Sequence, residues 1–320
     1  MSRMTEYAAT LEDIHAAARR IAPYARHTPV MTCQTLDEMA GRQLFSKCEQ
    51  FHKVGACEFR GACNAGMHLP DEVAARGVVT HSSGNHAQAL ALAARLREIP
   101  AHIVMPTNAP AVKRAAVEGY GARIVNCEPT QANREATAAR VVEETGGTLI
   151  HPYDNADIIA GQGTVALELL SEIATLDAII TPVGGGGLLS GVCLAGKGTY
   201  EELRIFAGEP QGADAAARSL AAGQLVHNET VDTIADGLRT NLGERTWPII
   251  RDHVEKIITV SDEEILSAMR FLAERAKLLV EPSAAVALAA VLSDEFKVLE
   301  GVQQIGIVLS GGNVELPRLT

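Results

Sequence analysis

Short apolar runs alternate with longer segments of helical period along most of the chain. Gly77–Thr80 predicts a strand, and Ala87 to Leu96 a helix after it. The alternation continues with a strand at Ala101–Met105, a helix from about Ala111 to Tyr120 and a strand at Arg123–Val125. An amphipathic helix follows, from about Gln131 to Glu144. Further strands are expected at Ala178–Thr181, Ile205–Ala207, Ile257–Val260 and Ile305–Leu309. Ser261, followed by Glu264 before Ile265, has the form of a capping box, in which each side chain satisfies the other's backbone amide. Pro110 and Pro282 suit first helical turns, where a missing N–H costs nothing. Strand–helix alternation of this kind implies parallel sheets covered by helices.

At 320 residues the chain exceeds the usual size of one domain, so two lobes are expected. Hydrophobic residues make up 47% but aromatics only 4%, which leaves the packing to Ala, Val, Leu and Ile. A net charge of −11 argues against nucleic acid as a partner, because phosphate backbones are met by basic faces. The six cysteines, Cys33, Cys48, Cys57, Cys63, Cys127 and Cys193, form no CxxC pair and no zinc spacing. They read as reduced, partly buried small apolar residues. No apolar run reaches membrane-spanning length, and Met1–Glu6 lacks a signal core, so a cytoplasmic location is expected.

Three loops carry chemistry. Gly184, Gly185, Gly186 and Gly187 follow a predicted strand and precede a helical pattern that begins near Leu188. Their exposed amides and the helix dipole suit a phosphate; a tight turn without a ligand is the plainer alternative. Ser82-Ser83-Gly84-Asn85-His86 also joins a strand to a helix, and its hydroxyls and amides suit a carboxylate. Ser83 there also fits a helix N-cap. Ser310 follows the strand Ile305–Leu309, at the end of a parallel strand where α/β proteins bind ligands.

The segment Phe51-His52-Lys53-Val54-Gly55-Ala56-Cys57-Glu58-Phe59-Arg60-Gly61-Ala62 resembles the cofactor-anchoring segment of the pyridoxal-phosphate (PLP) serine racemase and serine/threonine dehydratase family. Matches continue in order: the Ser82–His86 loop, Ala160-Gly161-Gln162-Gly163-Thr164, Val183–Leu188, Ile234-Ala235-Asp236-Gly237, Val280-Glu281-Pro282-Ser283 and Ser310-Gly311-Gly312-Asn313. The resemblance implies an α/β protein of PLP fold-type II, like the tryptophan synthase β subunit. Two three-layer lobes of parallel type would hold the active site between them. Residues 1–75 with 151–320 would form the large lobe and 76–150 the small one. The resemblance also implies a homodimer, a small amino-acid substrate, and no C-terminal regulatory domain after the Ser310 motif.

Residue by residue, it assigns Ser82, Asn85, His86 and Gln88 to the substrate carboxylate and Asn85 also to the cofactor's ring oxygen. Gly184 to Gly187 and Leu188 would hold the phosphate, and Ser310 the pyridine nitrogen. Ser83 matches the acid/base of the racemases. Arg134 would approach the far end of the substrate, or else lie solvated on a helix face; Asn241 stands where relatives carry a small hydroxyl residue. A divalent cation, Mg or Ca, would use Glu209, the Ala213 carbonyl and a third position that here is Ala215.

The anchoring lysine of that pattern is replaced by Glu58, and the aromatic before it by Cys57. A carboxylate forms no Schiff base. Lys53 matches a different position of the pattern and is no obvious substitute. Three readings follow. The chain is an impaired dehydratase or racemase of β-hydroxy amino acids (serine, threonine, 3-hydroxyaspartate) that holds PLP non-covalently; or it is a metabolite-binding pseudoenzyme; or Glu58 is the base of a PLP-independent lyase or isomerase. Glu58 as an exposed helix residue paired with Arg60 is the bland alternative.

Overall fold

The computed structural model describes residues 7–109 and 111–315. Pro110 and the Met1–Glu6 segment, both singled out above, lie outside the described residues. The strands are β1 (Val30–Met31), β2 (Gln43–Cys48), β3 (Val78–His81), β4 (Ala101–Pro106), β5 (Arg123–Cys127), β6 (Thr148–Leu149), β7 (Ala178–Pro182), β8 (Arg204–Pro210), β9 (Lys256–Val260) and β10 (Gln304–Leu309). They form a six-stranded sheet of order β1-β2-β10-β7-β8-β9 and a four-stranded sheet of order β5-β4-β3-β6. All pairings are parallel except β1 with β2. Every strand expected from the apolar pattern is present. β1, β2 and β6 were not anticipated. β1 and β6 are two residues each, too short to show a period. In β2 the apolar run is broken by Lys47, which is nonetheless fully buried.

Aliphatic side chains fill the core, as the composition required. The buried pair Phe206 and Phe296, with ring centroids 5.2 Å apart, is a rare aromatic contact in it. The helix Pro282–Leu292 opens on Pro282 and is apolar all round, because it lies wholly inside the large sheet's helical cover. The expected capping box is formed: Ser261 Oγ accepts from the Glu264 amide at 3.2 Å, and Glu264 Oε2 accepts from the Ser261 amide at 2.7 Å.

One helix, Ala156–Glu172, holds the site's two supports together. A Cβ at its Gly161 would lie 2.6 Å from Gly61 Cα, in the helix Glu58–His68. A Cβ at Gly191, in the helix Gly187–Thr199, would lie 2.4 Å from Gly163 N. Glycine at these crossings lets three helices touch backbone to backbone. Gln162 Oε1 accepts from the Gly61 amide at 3.0 Å, and its Nε2 reaches Cys57 Sγ at 3.4 Å.

Arg60 locks the same helix from the other side. Its guanidinium donates to Glu49 at 2.7 and 2.9 Å and to Glu168 at 2.6 and 2.8 Å. Lys47 Nζ adds a contact to Glu168 at 2.8 Å. Burial pushes the Glu168 carboxyl up, but the Arg60 hydrogen bonds and charge outweigh it and hold the group at about 2. Arg60 therefore has no part in an ion pair with Glu58.

Candidate active site

The C-terminal ends of β3, β7 and β10 carry the three loops. The anchor segment is tied to the end of β10: the Cys57 amide donates to the Ser310 carbonyl at 2.8 Å, and Ala56 bridges Gly311. Glu58 is the first residue of its helix and is half-buried. The Cys57 thiol donates to Glu58 Oε2 at 3.5 Å, and the Asn85 amide approaches from the opposite loop. Burial lifts the Glu58 carboxyl to about 7; its own backbone amide and then these two neighbours offset only part of the rise.

Asn85 also serves a second carboxylate. Its Nδ2 donates to Glu281 Oε1 at 2.9 Å, and Glu281 Oε2 accepts from the Asn313 amide at 3.0 Å. Asn313 Nδ2 donates to Asn85 Oδ1 at 3.0 Å, closing the network. Glu281 is 4% exposed. Burial, followed by the charge of Glu58, lifts it to about 8. Glu281 was noticed in the sequence only as part of a matching motif. Its pairing with Asn85 joins residues 196 apart and leaves no local signal.

At the end of β3, the helix Asn85–Arg97 is capped by Gly84, and Ser82 Oγ accepts from the Gly84 amide at 3.2 Å. The N-cap reading of Ser83 is therefore corrected: Ser83 is half-buried and lies just outside the cap. His86 and Gln88 are buried, and His86 Nε2 has no protein partner. Burial, with the nearby His151 and His81, depresses His86 to about 3. A ring cluster lies here that no local pattern announces. The His81 and His151 centroids are 5.2 Å apart, and those of His151 and Tyr153 are 4.6 Å apart. His151 is depressed to about 4, mainly by burial. Near neutrality His86 and His151 are therefore uncharged.

Arg134, on the helix Gln131–Thr145, is half-buried, and its Nε is shielded without a protein partner. Burial lowers His81; the charge of Glu135 opposes that lowering and the charge of Arg134 adds to it, so the start of this helix lies near the end of β3. Asn241 is committed elsewhere: its Oδ1 accepts from the Asn228 amide at 2.8 Å, clipping a loop.

The glycine loop is buried from Gly184 to Gly187, with Leu188 half-buried. Gly186 has φ +89 and caps the helix Gly187–Thr199. A Cβ at Gly185 would lie 2.2 Å from the Tyr153 ring. Thr240 Oγ1 is shielded from solvent without a protein partner, 3.1 Å from where a Cβ at Gly184 would be. Orphaned hydroxyl, helix N-terminus and glycine amides fit a phosphate at this end. The other end does not fit the covalent attachment of an aldehyde cofactor, because Glu58 stands there. Lys53 Nζ is turned onto the Phe59 ring, 5.4 Å from its centroid. At the cation motif, Glu209 Oε1 and Oε2 accept from the amides of Ala216 and Ala217 at 2.9 and 2.7 Å. Both oxygens are thus engaged at the start of the helix Ala215–Ala222.

Parallel sheets whose strand ends meet at a glycine cradle, a Ser-Ser-Gly-Asn-His loop and a serine define an α/β enzyme scaffold of PLP fold-type II. The sequence model described as pyridoxal-phosphate dependent enzyme matches residues 21–311, and the chain belongs to that family. It is 52% identical to a serine racemase of Oryza sativa subsp. indica over 97% of this chain and 92% of that one. It is 46% identical to a beta-hydroxyaspartate dehydratase of Paracoccus denitrificans (strain Pd 1222), over 98% and 99% of the two chains. The solved structure of maize serine racemase superposes with a TM-score of 0.96 at 52% identity, covering 97% of this chain and 95% of that one. No helix among the described residues is long and apolar enough to cross a membrane.

Proposed function

We propose that this chain is a racemase or dehydratase of small β-hydroxy amino acids whose family reaction is impaired by Glu58 and whose cleft holds its phosphorylated cofactor without a covalent bond. The observation that carries the reading is Glu58 at the head of its helix, facing Asn85 and tied beside Ser310. The glycine cradle with Thr240 supports phosphate binding. The residue types at Ser82, Asn85, His86 and Gln88 support a carboxylate pocket for the amino acid. Ser83 is the proposed proton carrier on the far face, and Ser310 the partner of the ring nitrogen. Arg134, buried at its Nε near His81, favours a substrate with a second carboxylate, such as 3-hydroxyaspartate. The gathering of β3, β4, β5 and β6 in one sheet and of the other strands in the second supports a small lobe of residues 76–150 and a large lobe of 1–75 with 151–320, with the cleft between them. A homodimer in the cytoplasm completes the reading. A cation at Glu209 would have to displace two amide hydrogen bonds and manage without a carboxylate at Ala215.

Borohydride treatment in the presence of PLP, followed by mass analysis, tests the reading. The parent chain is expected to stay unmodified. Glu58→Lys is expected to take a pyridoxyl adduct at position 58 and to form keto acid from a β-hydroxy amino acid orders of magnitude faster than the parent. An adduct on Lys53 of the parent would overturn non-covalent binding. A second reading is favoured by the Glu58 carboxyl at about 7, a value suited to a general base. It predicts that the parent turns over as fast as Glu58→Lys, with or without the cofactor.

A further inference from the structure

Cation at one end of a ligand and phosphate at the other is the charge pattern this cleft asks for. Glu281 Oε1 accepts from Asn85 Nδ2 at 2.9 Å, and Glu58 stands close enough to both for its charge to raise Glu281. Among the described residues, neither carboxylate has a Lys, Arg or His nitrogen within 4.0 Å. The nearby cations are spoken for: Arg60 by Glu49 and Glu168, Lys53 by the Phe59 ring. Two carboxyls drawn out of water without a countercharge are held toward their protonated form, and an ammonium placed between them recovers the cost of ionising them. An aldehyde offers them no charge and no donor. Two orphaned polar atoms belong to the same loops: Thr240 Oγ1 beside Gly184 of the cradle, and Nε2 of His86, a residue only 5% exposed and next to Asn85 in the chain.

We propose that the cleft takes the phosphorylated pyridine cofactor in its amine form, pyridoxamine 5′-phosphate, with the ligand's ammonium paired to Glu58 and Glu281. The inference rests on the phosphate-cleft reading above and names the ligand of that same site. Replacing the lysine of the family pattern by glutamate inverts what the anchor end selects. A lysine selects a carbonyl, by bonding to it; a glutamate selects a protonated amine, by charge and hydrogen bond. The protein then carries the cofactor in a form that needs no covalent tether.

Titration calorimetry on the full chain distinguishes the possibilities with five ligands: pyridoxamine 5′-phosphate, pyridoxine 5′-phosphate, PLP, O-phosphoserine and inorganic phosphate. The first two differ only in bearing an ammonium or a hydroxyl. The amine is expected to bind at least about tenfold tighter than the alcohol and than PLP, a difference typical of one charge-assisted hydrogen bond. In Glu58→Gln the preference over the alcohol is expected to disappear while inorganic phosphate binds as in the parent, which also shows that the variant is folded. Equal affinity of the parent for amine and alcohol overturns the proposal but leaves the phosphate cleft standing. So does tighter binding of PLP. Equally tight binding of O-phosphoserine overturns the pyridine assignment. If none of these ligands binds, inorganic phosphate included, both this inference and the cleft reading fail.

Discussion

Arg60 and Glu58 sit two residues apart in one helix and do opposite things with their charge. Arg60 is fully buried with its guanidinium saturated by Glu49 and Glu168, whereas Glu58 reaches the cleft with no cation beside it. Removing one member of a buried ion network strands the others, so Arg60→Met is expected to cost about 3–5 kcal/mol of unfolding free energy. Urea unfolding measures this, and a loss below about 1 kcal/mol would show that the network is not what holds the helix in place. The register of the twelve-residue anchor segment made Glu58 legible from sequence, because matching residues flank it without a gap. The partners of both residues were not legible. Glu168 lies 108 residues from Arg60, and Glu281 lies 196 from Asn85, so only the folded chain shows which charges are neutralised.

Helices and strands were legible where period and capping spoke together. The Ser261 capping box and Pro282 start helices where expected, and the inner strands β7, β8 and β10, with the edge strand β9, read as short apolar runs. The short strands and the glycine crossings were not, since a glycine in a helix reads locally as a weak position rather than a contact. Gly185 is the element-scale test of the cleft. A methyl there meets the Tyr153 ring at 2.2 Å, so the loop must shift or the ring must leave. Gly185→Ala is expected to weaken phosphate-ligand binding by about tenfold or more, on the scale of one lost charge-assisted hydrogen bond, with a smaller effect on thermal stability. In Gly185→Ala/Tyr153→Ala, room for the methyl is restored and part of the affinity should return. Unchanged binding in Gly185→Ala would mean that the ligand's phosphate does not rest on this loop.

Summed over the whole molecule, the shifted groups predict an unusual dependence of stability on pH. Three carboxyls are raised in the folded state, largely by burial: Glu58 to about 7, Glu281 to about 8 and Glu209 to about 8. A raised carboxyl binds its proton more tightly folded than unfolded, so stability falls as pH climbs from the unfolded value through the folded one. The histidines act the other way. His52 and His151 are depressed to about 4 and His86 to about 3, and His81, His102 and His253 are lowered too, in each case chiefly by burial. Unfolding lets them take up protons, so their contribution is lost as pH falls below about 6.5. Below about 4.5 the depressed carboxyls Glu168 and Glu49 lose their contribution as well. From about 4.5 to 6.5 the raised carboxyls and the histidines oppose each other, with the histidines more numerous. From 6.5 to 8 only the carboxyls act. Without ligand, stability should therefore peak near pH 6.5 and fall by about 2–4 kcal/mol by pH 8. Glu58→Gln removes one of the three carboxyls and relieves Glu281 of its charged neighbour, so it should flatten the alkaline limb and, because Glu58 no longer opposes the histidines between about 4.5 and 6.5, steepen the acid limb slightly. Urea midpoints of both proteins across pH 5 to 8 decide the matter. A parent curve that stays level or rises from 6.5 to 8 would mean that these carboxyls are hydrated in the folded protein, and that the cleft holds no unpaired charge for a ligand to neutralise.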